Sequence, residues 1–268
     1  MESKIAVALN LKFNPVALLW ADEKPAGALK FKEGAWGCVM WLFASAARGK
    51  TAAADRKTFG CLGGGTGLGF GNQYVNWEGG VDAFCRFLST GSAHLGLKRE
   101  MSRTHRESLV ENLLYGERYI KSPELVEKFL AMLPITDIPA QCVVFKPLKD
   151  VDATQETPVV VVFPVNPDQL AALTVLANYA RESRESVTIP FAAGCQSIGI
   201  LPYREARSAN QRAVVGLVDL SARENVRKQL GRDVMTFAVP YQMFREMEGN
   251  VEESFLGKEH WQRFLREE

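Results

Sequence analysis

The sequence predicts an α+β fold in which two similar α/β halves, residues 1–140 and 141–268, pack as one compact unit. Short apolar runs alternate with segments that carry helix-start signals, which is typical of a mixed α and β protein. The 268 residues are 47% apolar. A chain of this length and composition can bury a substantial core, and disorder is disfavoured.

Apolar runs mark the predicted strands. Two of them begin with a proline, Pro15 and Pro158, where the missing N–H is tolerated. Strands are predicted at residues 15–20, 142–146, 158–163, 187–190, 213–218 and 235–239. The order of these strands in a sheet is not readable from the sequence.

Capping signals mark the predicted helices. Residues 166–168, Asn-Pro-Asp, combine an N-cap, a proline at the first helical position and an acid in the first turn. Residues 122–124, Ser-Pro-Glu, repeat this device, and residues 221–224 read as a capping box. Helices are predicted at residues 39–47, 81–87, 105–114, 125–133, 169–180, 221–230 and 240–247.

The two halves repeat several features in the same order. Each contains a Gly-Cys pair, Gly37-Cys38 in the first and Gly194-Cys195 in the second. A turn follows 23 residues after the first cysteine, at Cys61, and 24 residues after the second, at Asp219. An aromatic helix follows each turn. These recurrences predict a degenerate internal duplication, with coincidence among common dipeptides as the alternative.

A series of short motifs runs along almost the whole chain. They are Pro15-Val-Ala, Cys38, Ala47-Arg-Gly49, Cys61-Leu-Gly-Gly, Gly67-Leu-Gly69, Phe145-Lys-Pro147, Val160-Val-Val-Phe163, Asn166-Pro-Asp-Gln169, Cys195 and Ser221-Ala-Arg223. In this order they resemble the domain of unknown function 169 family. The resemblance implies a prokaryotic, cytoplasmic, mixed α/β protein, frequent in anaerobic organisms, with no assigned activity. The family pattern often has a cysteine where this chain has Asp219.

Residues 60–71 are rich in glycine, which indicates positive φ angles or a close approach of the backbone to a ligand. We expect a flexible loop whose amides at Gly63, Gly64, Gly65 and Gly67 hold a cofactor or a small anion. The segment lacks Gly-x-Gly-x-x-Gly spacing after a strand, and no Gly-Lys-Ser/Thr follows it. A nucleotide-binding fold is therefore disfavoured.

Three cysteines and one acid are predicted to converge in a cleft between the halves. If the halves are related by a twofold-like axis, Cys38, Cys61, Cys195 and Asp219 meet there. Thiolates bind iron–sulfur clusters, and zinc accepts sulfur together with carboxylate, so an iron–sulfur cluster or zinc is the predicted cofactor. The tight Cys-x2-Cys spacing of the strongest metal motifs is absent from the sequence. Cys85 and Cys142 are predicted to be small core residues instead.

Other interpretations of the same residues stay open. The thiols can be buried small hydrophobes in a structural subunit without a site. A metal-free enzyme or sensor can bind a small anionic metabolite on the glycine-rich segment, with Arg48 or Arg223 supplying charge. Catalytic residues are unknown, although Cys38 at a helix N-terminus would have a lowered pKa and could act as a nucleophile.

Composition excludes several classes of partner. The formal charge of +1 argues against nucleic acid and anionic membranes, and no apolar run reaches the length of a membrane span. The start of the chain has no secretory core, so a cytoplasmic location is expected. We interpret His94, His105, His260 and the basic cluster at residues 99–106 as surface features. The oligomeric state is not readable from the sequence.

Overall fold

A seven-stranded sheet organises the chain in a computed structural model that describes residues 1–93 and 107–266. Strands β1 to β7 are Val16–Ala21, Ala52–Asp55, Cys142–Pro147, Val160–Val165, Val187–Thr188, Ala213–Gly216 and Met235–Pro240. Their order is β2-β3-β1-β4-β7-β6-β5. The pair β5–β6 is parallel, and the other neighbouring pairs are antiparallel.

Helices flank the sheet. In chain order α1 to α12 are Lys4–Ala8, Met40–Ala47, Leu62–Leu68, Gly80–Leu88, Glu107–Tyr115, Pro123–Met132, Pro167–Asn178, Gly194–Ile198, Ile200–Ala206, Leu220–Leu230, Tyr241–Asn250 and Glu259–Phe264. Short 3-10 segments lie at Gln73–Asn76, Leu148–Asp150 and Phe255–Gly257. The mixed α and β class that the sequence predicts is confirmed.

Most predicted elements occur within a few residues of their expected bounds. The N-cap predicted at Asn166 is confirmed, and the structure completes it to a capping box, because the Asn166 side chain accepts from the Gln169 N–H and the Gln169 side chain accepts from the Asn166 N–H. Strand β2 was not predicted, since its sequence, Ala-Ala-Ala-Asp, has little intrinsic preference for a strand. The prediction of a capping box at Ser221 is wrong, because α10 begins at Leu220 with Asp219 as its N-cap.

Apart from β5 at one edge, the strand order is symmetric about the central β1–β4 pair. On one side β1 is followed by β3 and β2, and on the other β4 is followed by β7 and β6. The central register agrees with this symmetry, because Val16 lies opposite Val162 and Leu18 lies opposite Val160, with the Ala17–Val161 pair between them. The duplication of the sequence itself stays a prediction.

The two faces of the sheet carry different helices. Alternate residues of β1, β4 and β7, such as Leu19, Phe163 and Phe237, pack with Leu173 of α7 and Met243 of α11. The opposite face carries α2, which contacts β1, β2 and β3, and the pair α8 and α9, which contacts β6 and β7. The predicted site residues lie on this second face.

The chain forms two compact units. One comprises Met1–Gly71 with Thr136–Glu268, which includes the sheet, and the other comprises Asn72–Ile135. In the second unit α4 packs against α5 and α6, and Phe84 contacts the rings of Tyr74 and Trp77. This division does not test the predicted halves, which stay a prediction.

No helix in the two described stretches of the chain has both the length and the apolar character that crossing a bilayer requires.

Candidate functional site

Cys38 precedes the first turn of α2, where the Met40 backbone N–H bonds to its thiol. The side chain is partly buried. Burial raises the pKa of the Cys38 thiol to about 12, with Cys61 and Asp219 adding to the effect. The prediction of a lowered pKa is therefore wrong, because loss of hydration outweighs the field of the helix terminus. Cys38 is a neutral thiol at neutral pH.

Cys61 is the N-cap of α3. Its sulfur accepts the Gly64 N–H at 3.2 Å, and its own N–H donates to the Gly37 carbonyl at 3.0 Å. The second bond ties the start of α3 to the residue before Cys38. Burial is the largest cause of the raised pKa of the Cys61 thiol.

Cys195 lies in the first turn of α8 and is buried. Its thiol donates to the Gly63 carbonyl at 3.1 Å. The pKa of Cys195 is raised well above its ordinary value, first by burial and then by Cys61, Cys38 and Asp219. The Cys61–Gly37 and Cys195–Gly63 bonds, together with a bond between Gly194 and Asp219, join the four predicted residues in one region. We call it the thiol cluster: Cys38, Cys61, Cys195 and the adjacent Asp219.

Asp219 differs from the thiols because both of its oxygens accept backbone N–H groups. Oδ1 accepts from Ala222 in the first turn of α10 at 2.6 Å, and Oδ2 accepts from Gly194 at 2.5 Å. The side chain is buried, and burial raises the pKa of its carboxyl. Asp219 therefore joins α10 to the start of α8.

The glycine-rich segment is a helix, not the flexible loop that we predicted. Residues Gly63, Gly64, Gly65 and Gly67 belong to α3, which ends at Gly69 in the left-handed conformation, φ 93°. Gly64, Gly65 and Gly67 are buried. The Gly64 N–H donates to the Cys61 sulfur and the Gly65 N–H to the Cys61 carbonyl, so these two amides do not face an open nest for an anion.

Close packing explains two of these glycines. A Cβ on Gly67 would lie 2.7 Å from the Cys195 sulfur, and one on Gly64 would lie 2.5 Å from a methyl group of Val39. The glycines thus allow α3 to approach α8 and the residues before α2. This is the close approach that the composition predicts, but the neighbour is protein backbone and sulfur.

Metal ligation is not preformed. In the part of the chain that the structure describes, no group of three or more histidine, cysteine or acidic side chains has the geometry to hold a metal ion. The three thiols converge in protonated form, and two of them are only partly buried. Any metal must displace their protons and draw the sulfurs together.

The comparison with family models gives one match, over residues 4–250. The matching model is described as uncharacterised ArCR, domain of unknown function 169 (DUF169). The chain belongs to the DUF169 family. No curated protein and no solved structure matches it. Membership confirms the resemblance in the sequence, and it supplies no activity.

The structure of this DUF169 protein also shows where the other residues that the sequence analysis singled out lie. Cys85 and Cys142 are buried, as predicted. The Arg48 side chain donates to the Gln229 carbonyl at 3.1 Å, and the Arg223 side chain donates to the Leu217 and Val234 carbonyls. His260 lies in α12. His94, His105 and the basic cluster at 99–106 lie outside the described residues.

One residue that the sequence interpretation missed is Gly199, at the junction of α8 and α9. A Cβ at this position would overlap the Gly67 carbonyl oxygen. The signal for its role is tertiary, because no local pattern around residue 199 shows which backbone passes over it. Gly67 and Gly199 together fix the spacing at which Cys195 meets α3.

Proposed function

We propose that this protein binds a thiophilic metal, as an iron–sulfur cluster or as zinc, through Cys38, Cys61 and Cys195. The supporting observation is the convergence of thiols from sequence positions 23 and 134 residues apart at the starts of α2, α3 and α8. Once deprotonated, thiols gathered on the sheet face become thiolates, which are the soft donors that both metal types accept.

The three cysteines and Asp219 would have different roles in metal binding. Cys38 and Cys61 are partly exposed, so they would receive the metal first, and buried Cys195 would bind it from behind. Both carboxylate oxygens of Asp219 accept backbone N–H groups, so we assign this residue to holding α10 and α8 in place. Three thiolates would leave one position of a tetrahedral ion open to water or to a substrate.

Binding would change the charge of the site. Each thiol must lose its proton, and burial together with neighbouring charge opposes this in the metal-free protein. A cation removes that opposition, since it stabilises thiolates directly. Metal affinity should therefore rise with pH.

The alternative, a metal-free enzyme or sensor that holds an anionic metabolite on the glycine-rich segment, loses its main support. Its premise was an open loop with free amides, and Gly63–Gly67 are helical. We therefore favour the metal-binding proposal.

Anaerobic purification followed by an absorbance spectrum and iron, sulfide and zinc analysis tests this proposal. We expect bound metal in the wild-type protein or after reconstitution with iron and sulfide or with zinc. The Cys38→Ala and Cys61→Ala variants should lose it, and the matched Cys85→Ala variant should keep it. A wild-type protein that stays metal-free after both reconstitutions would overturn the proposal, as would full occupancy in both cluster variants.

A further inference from the structure

A groove of about 470 Å³ runs along α10 and the turn that follows it. It is distinct from the thiol cluster, since none of the three cluster cysteines lines it. The lining combines apolar side chains with arginines, a mixture that suits a ligand with two chemical ends.

The apolar part of the groove comes from leucine and valine. Leu217, Val226 and Leu230 are buried beneath it, whereas Leu220 is 67% exposed at its edge. An exposed leucine at the edge of the groove loses further apolar surface to water when a chain of methylene groups packs against it.

Arg223 places a fixed positive charge in the groove. Its guanidinium donates to the carbonyl oxygens of Leu217 at 3.2 Å and Val234 at 3.1 Å, and also to that of Arg232. These acceptors are neutral, so they orient the guanidinium without cancelling its charge. Its half-buried position limits screening by solvent.

Arg227 and Arg232 add two exposed guanidinium groups to the same lining. Within residues 1–93 and 107–266, none of the three arginines forms an ion pair with a carboxylate. Glu224 is the acidic residue of the lining and is exposed, so positive charge predominates. Guanidinium groups bind carboxylate and phosphate through paired N–H donors.

We propose that this groove binds a small amphipathic anion, with a carboxylate or phosphate at the arginines and a short apolar chain against the exposed Leu220. The chain would cover Leu220 at the edge of the groove. The proposal does not depend on metal binding at the thiol cluster.

Isothermal titration calorimetry with four probes tests the groove. Hexanoate and hexyl phosphate carry both chemical ends and differ in the headgroup, inorganic phosphate lacks the chain, and hexan-1-ol lacks the charge. We expect at least one of the two amphipathic anions to bind the full-length protein about tenfold or more tightly than either single-ended probe, which would also identify the preferred headgroup.

Two surface variants locate the binding. The double variant Arg227→Gln/Arg232→Gln should weaken binding by about tenfold or more, and Lys228→Gln, on the same helix but outside the lining, should leave it within about twofold. Cys38→Ala should also leave it unchanged, which separates this proposal from the metal site. Equal affinity in the double variant, tighter binding of plain phosphate, or no heat of binding at millimolar probe would overturn the proposal.

Discussion

Two helix crossings on the same face of the sheet correspond to each other in the symmetric strand order, yet they are built with different chemistry. In one, α3 packs on α8, and in the other, α10 packs on α2. The thiol of Cys61 caps α3, whereas the carboxylate of Asp219 caps α10 from the corresponding position. The first crossing carries two thiols, Cys61 and Cys195, and the second is held by a carboxylate that accepts backbone N–H groups.

The two crossings also differ in how closely their helices pack. Gly67 of α3 lies directly against Cys195, where any side chain would collide. Next to the second crossing, a Cβ on Gly194 of α8 would meet the Ala222 Cβ of α10 and the Met40 Cγ of α2 at 3.0 Å each, so both helices of that crossing keep side chains at this contact. Glycine inside a helix costs about 0.5–1 kcal/mol relative to alanine. The close approach of α3 to the Cys195 thiol therefore comes with a lower intrinsic stability of this helix.

The largest effect on stability should come from adding a side chain where α3 contacts the region of α8. Gly199→Ala places a methyl group on the Gly67 carbonyl oxygen, and we expect a loss of about 3 kcal/mol in the free energy of unfolding because backbone must move. Denaturant unfolding measures it. Gly249→Ala is the control, since nothing lies within 4 Å of its Cβ, and it should change stability by about 1 kcal/mol or less. A Gly199→Ala protein as stable as wild type would contradict this packing.

The next effect concerns the reactivity of Cys38 in the metal-free protein. Its pKa of about 12 against an ordinary 9.0 lowers the thiolate fraction at pH 8. The greater nucleophilicity of a more basic thiolate offsets part of this, so alkylation by iodoacetamide should be about fiftyfold slower than in unfolded protein. Peptide mass mapping of the modified residue in native and urea-unfolded samples gives the two rates.

The pH dependence of that reaction supplies its control. The rate should keep rising past pH 9, because the thiolate fraction grows until the pH reaches about 12. The raised pKa of Cys38 also makes the free energy of unfolding depend on pH. The contribution of this thiol is complete below pH 9 and is lost as the pH rises through about 12. Equal native and unfolded rates at pH 8 would show that the thiol is not desolvated.

The smallest effect compares the two caps. Asp219→Ala removes two short bonds to buried N–H groups and should cost about 2 kcal/mol. Cys61→Ala removes one weaker N–H···S bond and should cost about 0.5 kcal/mol. Thermal or denaturant unfolding of both variants gives the difference, and Asp219→Asn should recover part of the larger loss. Equal costs would mean that the two crossings contribute alike to stability.

The sequence singled out four residues that the structure brings into one region, whereas their role as ligands stays a prediction and the helical conformation beside them was not foreseen. The recurring Gly-Cys pairs and turns pointed to Cys38, Cys61, Cys195 and Asp219, and the structure gathers them. The expected loop at Gly63–Gly67 failed, because glycine composition is compatible with a loop or with a tightly packed helix. The groove arginines Arg227 and Arg232 carried no signal beyond that of an exposed helix face.

The sequence by itself determined β1, β4 and the N-cap at Asn166, since each of these depends on residues that are neighbours along the chain. Only the tertiary structure decided the strand order, the helical state of α3 and the direction of the thiol pKa shifts. Each of these depends on burial against distant segments. Gly67 needs Cys195 beside it, and Cys38 loses its hydration to residues that lie far along the chain.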